Sequence, residues 1–181
     1  RTEVKNKKWS RSCHHFTFAH DLASTSSIVE PLCKELKHDE SGFRRTNLCM
    51  VRLVTAKALG MICDVKAAGP LIRLLKKDLE PLTYPPLTAT VVKALGKIGD
   101  SRAVNPLIKL LDDSDAVWHH PVVAKALGKI GDERAVKPLL KLLKNKAEYY
   151  SWTYSETSVY NDVQQATSKA LNNLGHTIVK V

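Results

Sequence analysis

Lys93-Ala94-Leu95-Gly96-Lys97-Ile98-Gly99-Asp100 recurs almost unchanged at residues 125–132. After one further residue, each copy continues into Arg-Ala-Val-x-Pro-Leu-(Ile/Leu)-Lys-Leu-Leu, so the repeated unit is much longer than the shared octapeptide. A unit of this kind cannot bury its apolar face alone and must stack on its neighbours. The repeat therefore predicts the fold and leaves the function open, because a stacked scaffold serves many purposes.

The same markers recur beyond the two clean copies. A Lys-Ala-Leu triplet starts at Lys57, Lys93, Lys125 and Lys169, and a proline precedes a leucine-rich run at Pro31, Pro70, Pro106 and Pro138. Unequal spacing between these markers indicates loops of different length. We predict an all-α protein, a right-handed α-solenoid of about four and a half helix pairs. Residues 1–25 would be an N-terminal extension with room for a degenerate first helix, and residues 26–181 the single-domain solenoid.

Both halves of one unit have apolar residues at helical spacing. They are Val91, Val92, Leu95 and Ile98 in the first half, and Val104, Leu107, Ile108 and Leu111 in the second. Gly99 suits the left-handed turn that ends a helix, and Asp100 suits the cap of the next one. Because Pro106 has no N–H, it belongs in the first turn of the second helix, and we expect a 3₁₀-like turn over residues 101–105 before it.

Two glycines lie inside the first helix of their units. Glycine in a helix interior costs up to about 1 kcal/mol relative to alanine. Gly96 and Gly128 therefore need a compensating interaction. We expect this to be the close approach of the paired second helix.

The string from Ala94 to Leu111 resembles the HEAT-like repeats named after phycobilisome (PBS) lyases. The resemblance is strong over residues 43–144, partial over 26–39 and 159–175, and absent from 1–15. It implies that the first helix of each pair lies on the convex side and that the second lines a concave surface. The family's Val-Arg pair is present only at residues 51–52, and the positions equivalent to Arg52 hold Thr88, His120 and Gln164.

The amino-acid composition limits the classes of protein to which this chain can belong. The chain has 181 residues, 44% hydrophobic and 25% charged, which are the values of one ordinary globular domain. No apolar run is long enough to span a membrane, and no secretory signal is visible. The four cysteines show no C-x-x-C spacing, and three of them fall near core-facing helix positions. A reduced, cytoplasmic location is the simpler interpretation.

The chain has a net charge of +10, and some of its basic residues recur at equivalent positions of the repeat. Basic residues recur three and six positions after the marker prolines, except that Asp112 lies six positions after Pro106, and on second helices they would make a concave face positive. These predicted partner-binding columns are Lys34, Arg73, Lys109, Lys141, Lys37, Lys76 and Lys144. Such a face would attract an acidic protein or a phosphate backbone. The alternative is that these positions only face solvent, where lysine is a good helix former.

Insertions between units carry most of the aromatic side chains. Loops that join successive units share one edge of a solenoid, so their side chains should form a rim. The predicted rim is Tyr84, Trp118, His119, His120, Tyr149, Tyr150, Trp152 and Tyr154. Tyrosine and tryptophan suit a binding surface. Equally, they can fasten long loops to the helical body.

The residues form no catalytic set, and we expect neither a metal nor a cofactor. His14, His15, His20 and Asp21 are candidate ligands, as is the pair His119-His120, but adjacent histidines on a helix point about 100° apart and chelate poorly. The HEAT-repeat deoxyhypusine hydroxylases rely on repeated His-Glu pairs, which this sequence lacks. Ser24, Ser26 and Ser27 precede the proline-containing helix as capping residues.

Three classes of function follow. The leading hypothesis is a non-enzymatic scaffold that binds another protein, one with an acidic surface, through a basic concave face, the aromatic rim, or both. The second is nucleic-acid binding, with a resemblance to the HEAT-like alkylpurine DNA glycosylases. The third is a phycobilin-lyase-like subunit, implied by the PBS-lyase resemblance. The solenoid can also be a segment of a larger parent chain.

Overall fold

The computed structural model describes residues 22–36, 45–78, 85–113, 118–144 and 156–176. These residues form eight α-helices and contain no β-strand. In chain order they are α1 (Leu22–Glu35), α2 (Arg45–Ile62), α3 (Ala68–Asp78), α4 (Pro85–Ile98), α5 (Val104–Asp112), α6 (His120–Ile130), α7 (Val136–Lys144) and α8 (Glu156–Asn173). The prediction of an all-helical repeat protein is confirmed.

The helices form two layers of different tightness. Helices α2, α4, α6 and α8 pack extensively on one another in that order and are called the first-helix layer below. Helices α1, α3, α5 and α7 lie behind them, and each packs on the first helix that follows it in the chain. Contacts from α3 to α5 and from α5 to α7 are much sparser than those between neighbouring first helices.

One continuous apolar core lies between the layers. Both layers contribute leucines with no exposed surface at equivalent positions of successive repeats. They are Leu59, Leu95, Leu127 and Leu171 from the first-helix layer, and Leu71, Leu107 and Leu139 from the layer behind it. Burying a leucine side chain stabilises a fold by about 1.5–3 kcal/mol, so each leucine of this series favours the packing of the two layers. The repeated leucines are structural residues.

A short 3₁₀ turn joins the layers at three places. These turns span Val65–Ala67, Ser101–Ala103 and Glu133–Ala135, each preceded by an aspartate. The carboxylates of Asp64, Asp100 and Asp132 accept a hydrogen bond from the backbone N–H two residues later, at N···O distances of 2.8, 2.8 and 3.0 Å. The predicted turn and its aspartate cap are thus confirmed.

The start of α5 differs slightly from the prediction. The 3₁₀ turn ends at Ala103, and the regular helix begins at Val104, two residues before Pro106. The proline is still compatible with the first turn of α5, because the first four N–H groups of a helix have no partner within it. The three serines expected before α1 lie inside it instead, since that helix already begins at Leu22.

Left-handed backbone ends the first helices, as predicted for Gly99. The φ angles are 76° at Gly99, 72° at Gly131 and 84° at Gly175. The equivalent position after α2 is Cys63, which adopts φ 59° and is the non-glycine residue with positive φ in the described part of the chain. Its thiol Sγ lies 3.3 Å from the carbonyl oxygen of Gly60. An L-residue in this conformation carries a steric cost that glycine avoids.

Glycines inside the first helices do mark a close approach, but not to the paired second helix. A Cβ built on Gly96 would lie 2.8 Å from both the Cα and the Cβ of Ala126. That alanine belongs to α6, the next helix of the same layer. The expected close approach to the paired second helix is therefore wrong. Gly96 instead lets the backbone of α4 pack against Ala126 of the next first helix, so neighbouring first helices pack more closely than neighbouring second helices.

Candidate functional site

A groove of about 740 Å³ runs across the first-helix layer. Residues from α2, α4, α6 and α8 line it, so it crosses all four described first helices. Six of the lining residues are lysines: Lys57, Lys93, Lys97, Lys125, Lys129 and Lys169. We refer to this feature as the lysine groove.

The repeat itself places these lysines in register. The Lys-Ala-Leu triplet supplies one column with a lysine on each helix, namely Lys57, Lys93, Lys125 and Lys169. Four residues later on α4 and α6, Lys97 and Lys129 form a second column. Side chains four residues apart lie on the same face of a helix, so the two columns run side by side along the groove.

Small residues form the floor between the lysines. Lining residues include Gly60, Gly96, Ala94, Ala126 and Ala170. A Cβ on Gly60 would lie 2.7 Å from the Cβ of Ala94, and the Gly96–Ala126 contact is equally close. Without side chains at these positions, neighbouring backbones approach closely and the lysines of adjacent helices are brought together.

The described lining of the lysine groove carries positive charge only. All six lysines are exposed, and the lining drawn from the described residues contains no aspartate or glutamate. None of them forms an ion pair with a described carboxylate, whereas Lys141 on α7 pairs with Asp112 at 3.0 Å. Charges of one sign in a concave surface focus the field and attract a ligand of opposite sign. The groove is therefore suited to an anionic partner.

The basic columns predicted on the second helices lie elsewhere. Lys34, Arg73, Lys76, Lys109, Lys141 and Lys144 are exposed on α1, α3, α5 and α7, and Lys37 lies outside the described residues. None of them lines the lysine groove. The groove thus lies on the first helices and the basic columns on the second helices, and the expected concave face on the second helices stays a prediction.

The predicted aromatic rim is described in part. Trp118 is 62% exposed and precedes Val122, a groove-lining residue, by four positions. His119 is partly buried. The remaining aromatic residues of the predicted rim, Tyr84, Tyr149, Tyr150, Trp152 and Tyr154, lie outside the described residues. Trp118 is thus an exposed residue of the predicted rim, and it is not among the residues that line the groove.

His120 is buried, unlike the rest of the predicted rim. It is 1% exposed and occupies the position equivalent to Arg52, which is 6% exposed. Burial lowers the pKa of the His120 imidazole, an effect that the nearby backbone of Asp113 and Leu110 opposes. His120 is thus an interior polar residue and offers no surface to a partner, so its assignment to the rim is corrected.

A metal site needs several ligating side chains close together, and this arrangement can be assessed for the described residues. Within them, no group of three or more His, Cys, Asp or Glu residues is arranged to hold a metal ion. The candidates His14, His15, His20 and Asp21 lie outside this part of the chain. No helix of the described segments combines the length and apolar character that crossing a membrane requires.

Sequence reasoning placed Lys93 and Lys97 only on the polar face of a helix. The signal that could have identified the groove was present, since a lysine precedes every Ala-Leu pair. Its periodicity is no different from that of the second-helix lysines. What distinguishes the two sets is the spacing between helices, which the glycines control.

Comparison with known proteins agrees with this architecture. A family model described as HEAT repeats matches residues 83–151, which contain helices α4 to α7. A search of curated proteins finds no match to the chain. Residues 83–151 are therefore similar to HEAT repeats, in agreement with the stacked helices that this part of the chain forms.

Proposed function

We propose that this protein is a non-enzymatic HEAT-like scaffold that binds another protein through an acidic segment in the lysine groove. HEAT repeats generally serve as protein-interaction scaffolds. The observation that carries the proposal is the set of six exposed lysines in one groove, with no carboxylate among its described lining residues. A carboxylate-bearing peptide would neutralise this charge.

The groove provides more than charge. Its floor of alanine and glycine is joined by Leu53 and Val122, so the base of the groove is apolar while its edges are cationic. The lysine stems add further apolar surface, since the four methylene groups of a lysine pack while its ammonium group stays in water. A peptide backbone with acidic side chains can therefore lie on the floor and reach the ammonium groups on either side.

A protein partner fits the lining better than nucleic acid does. Proteins that bind single strands combine a basic groove with aromatic side chains on which bases stack. The described lining of the lysine groove has no aromatic residue and no arginine, although arginine is the residue best suited to bidentate contacts with phosphate. Lysine acts as a mobile point charge and suits carboxylates of varied position.

Other features belong to the same proposal. The second-helix columns and the exposed Trp118 would be additional partner contacts, and the fold would be a right-handed solenoid of about four and a half PBS-lyase-type repeats. Residues 1–25 would be the N-terminal extension and residues 26–181 the solenoid. We also propose that the protein is cytoplasmic and that this chain is part of a larger parent chain.

Fluorescence anisotropy with a labelled octaglutamate peptide tests the proposal. We expect binding at low salt that weakens as salt is raised, because exposed charges are screened over about 10 Å at 0.1 M. The variant K93Q/K97Q/K125Q/K129Q should bind at least about tenfold more weakly, since it loses four charges in the groove. Circular dichroism should show unchanged thermal unfolding, because these side chains are exposed.

A matched control removes the same number of charges from the second helices. The variant R73Q/K76Q/K109Q/K144Q should retain most of the affinity for octaglutamate. An equal loss in both variants would mean that only net charge matters and would overturn the groove as the site. A preference of the wild type for labelled single-stranded or duplex DNA over octaglutamate at the same salt would favour the nucleic-acid alternative.

A further inference from the structure

Helix α2 has an apolar stripe on its outer surface. Met50, Val54 and Met61 are 53%, 61% and 58% exposed. Contiguous exposed apolar side chains on a protein surface mark interaction sites more often than isolated ones do. We refer to these three residues as the apolar stripe.

The stripe borders the lysine groove. Successive residues of an α-helix are about 100° apart, so the three stripe residues fall within about 40° of one another. The same geometry places Lys57, which lines the groove, about 20–60° away from them. Leu53, another lining residue, lies beyond Lys57 on the side of α2 that approaches α4. The stripe and the groove therefore form one continuous surface.

The repeat register shows how this surface changes along the array. Val54 occupies the position of Thr90, Val122 and Ala166, all of which line the groove. Met61 occupies the position of Lys97 and Lys129. At the α2 end, a methionine thus replaces the lysine of the second column. The surface is cationic over α4 and α6 and apolar at its α2 end.

We infer that the occupant of this surface is an extended peptide segment with acidic residues over the lysines and a bulky apolar residue at the end that lies on the apolar stripe. The inference rests on the proposed function and adds a hydrophobic anchor to the acidic segment. An extended chain advances about 3.3 Å per residue and packed helices lie about 8–10 Å apart. Acidic side chains about three residues apart would therefore meet lysines of successive helices.

Charge argues against a second copy of this chain as the occupant. A twofold contact through the stripe would place the same surface of each copy together. Lys57 lies next to the stripe in both copies, with further groove lysines behind it. Like charges would then approach one another, and the described lining of the groove holds no carboxylate to balance them. An acidic peptide satisfies both parts of the surface.

Three peptides test the inference. The first is a nonapeptide of glycine and serine with glutamate at every third position, and the others carry two additional leucines at the amino or carboxyl end. We expect one leucine-bearing peptide to bind the wild type about tenfold more tightly than the plain peptide, since a buried leucine contributes that much or more. The other orientation should show a smaller gain, which also fixes the direction of the bound chain.

Variants assign that gain to the stripe. M50S/V54S/M61S should remove the gain from leucine and leave the affinity for the plain peptide within about twofold. V65S/L140S removes exposed apolar side chains elsewhere on the surface and should leave the gain intact. K93Q/K125Q should weaken all three peptides.

These measurements distinguish failure of the hydrophobic anchor from failure of the proposed function. If the plain peptide binds and the leucines add nothing, or if their gain persists in M50S/V54S/M61S, the inference is wrong and the proposed function stands. If no acidic peptide binds, the proposed function fails as well. Light scattering that shows a wild-type dimer converted to a monomer by M50S/V54S/M61S would identify a second copy as the occupant and overturn the inference.

Discussion

Gly96 of α4 lies so close to Ala126 of α6 that an added Cβ would be 2.8 Å from the alanine Cα. The same relationship joins Gly60 to Ala94, and Gly128 to Ala170 at 2.5 Å from its Cα. A pair of small residues thus connects each described first helix to the next. These contacts hold the lysines of neighbouring helices side by side, so the spacing of the groove depends on residues that carry no charge.

Replacing Gly96 with alanine should destabilise the protein although alanine is the better helix former. The new methyl group would overlap the backbone of Ala126, and such overpacking costs about 1–3 kcal/mol. The helices would also move apart, so the affinity for octaglutamate should fall. Urea unfolding followed by circular dichroism measures the first effect, and anisotropy measures the second.

Gly69 provides the matched control for that substitution. It lies near the start of α3, and outside its chain neighbours and its own helix backbone no atom lies within 4 Å of a Cβ built there. Gly69→Ala should be neutral or stabilise the protein by up to about 1 kcal/mol, because alanine restricts the unfolded chain. Equal effects of the two substitutions would show that the Gly96–Ala126 contact does not control the stability of the array.

Replacing Cys63 with glycine should stabilise the protein. Cys63 has φ 59°, whereas the equivalent positions Gly99 and Gly131 hold glycine in the same left-handed region. Relief of that conformation is worth about 1–2 kcal/mol, reduced by the greater flexibility of glycine in the unfolded chain. We expect a net gain of about 1 kcal/mol in the free energy of unfolding, measured with urea under reducing conditions.

The reverse substitution is the control for Cys63. Gly99→Cys should lower the free energy of unfolding by about 1–2 kcal/mol, because it introduces the same strain into α4. A loss of stability in Cys63→Gly would instead mean that the contact of the Cys63 thiol with the Gly60 carbonyl outweighs the backbone cost.

Asp132 should contribute stability that is lost in acid. Its carboxylate accepts a hydrogen bond from the Arg134 backbone and pairs with the Arg134 guanidinium at 2.7 Å. The side-chain hydrogen bond from Arg134 lowers the pKa of Asp132 below its ordinary value. Because the folded-state pKa is the lower one, the stabilisation is complete above about pH 4 and is lost as pH falls through the folded-state value.

Two substitutions separate the cap of Asp132 from its charge. Asp132→Ala removes both and should cost about 0.5–2 kcal/mol at pH 7, the usual range for a lost cap. Asp132→Asn keeps an acceptor oxygen, so it should cost less at pH 7 and reduce the loss of stability below pH 4. Urea titrations at pH 3–7 measure both effects. An acid response of Asp132→Asn identical to that of the wild type would assign the effect to other carboxylates.

His120 should make stability depend on pH in a higher range. Burial lowers its pKa below the ordinary value of about 6.5, so the unfolded chain binds the proton more readily. Stability is then complete above pH 6.5 and falls as pH decreases toward the folded-state pKa. His120→Leu should flatten the free energy of unfolding between pH 5 and 7.

His119 is the control for His120. Burial also lowers the pKa of His119, but this residue is only partly buried. His119→Gln should therefore retain most of the wild-type dependence on pH. If His119→Gln flattened the profile and His120→Leu did not, the buried position of His120 would not be the source of the effect.

Much of the fold could be predicted from particular residues. Gly99 predicts the left-handed helix end and Asp100 the cap that follows, and both are confirmed because each depends on local backbone chemistry. The first residue of α5 could not be predicted, because Pro106 is compatible with any position in the first turn. His120 was assigned to a surface rim because its loop neighbours are aromatic, and its burial follows from packing that its own segment does not encode.

The sequence by itself determined the repeat, its helices, its turns and the register of its lysines, because these depend on residues close together in the chain. Only the tertiary structure decided which lysines share a groove. The columns of Lys93 and Lys109 are equally regular in the sequence. They differ because Gly96 and its equivalents draw the first helices together, whereas the second helices remain apart. Distances between helices arise from packing across the array, and they place the lysine groove on the first-helix layer.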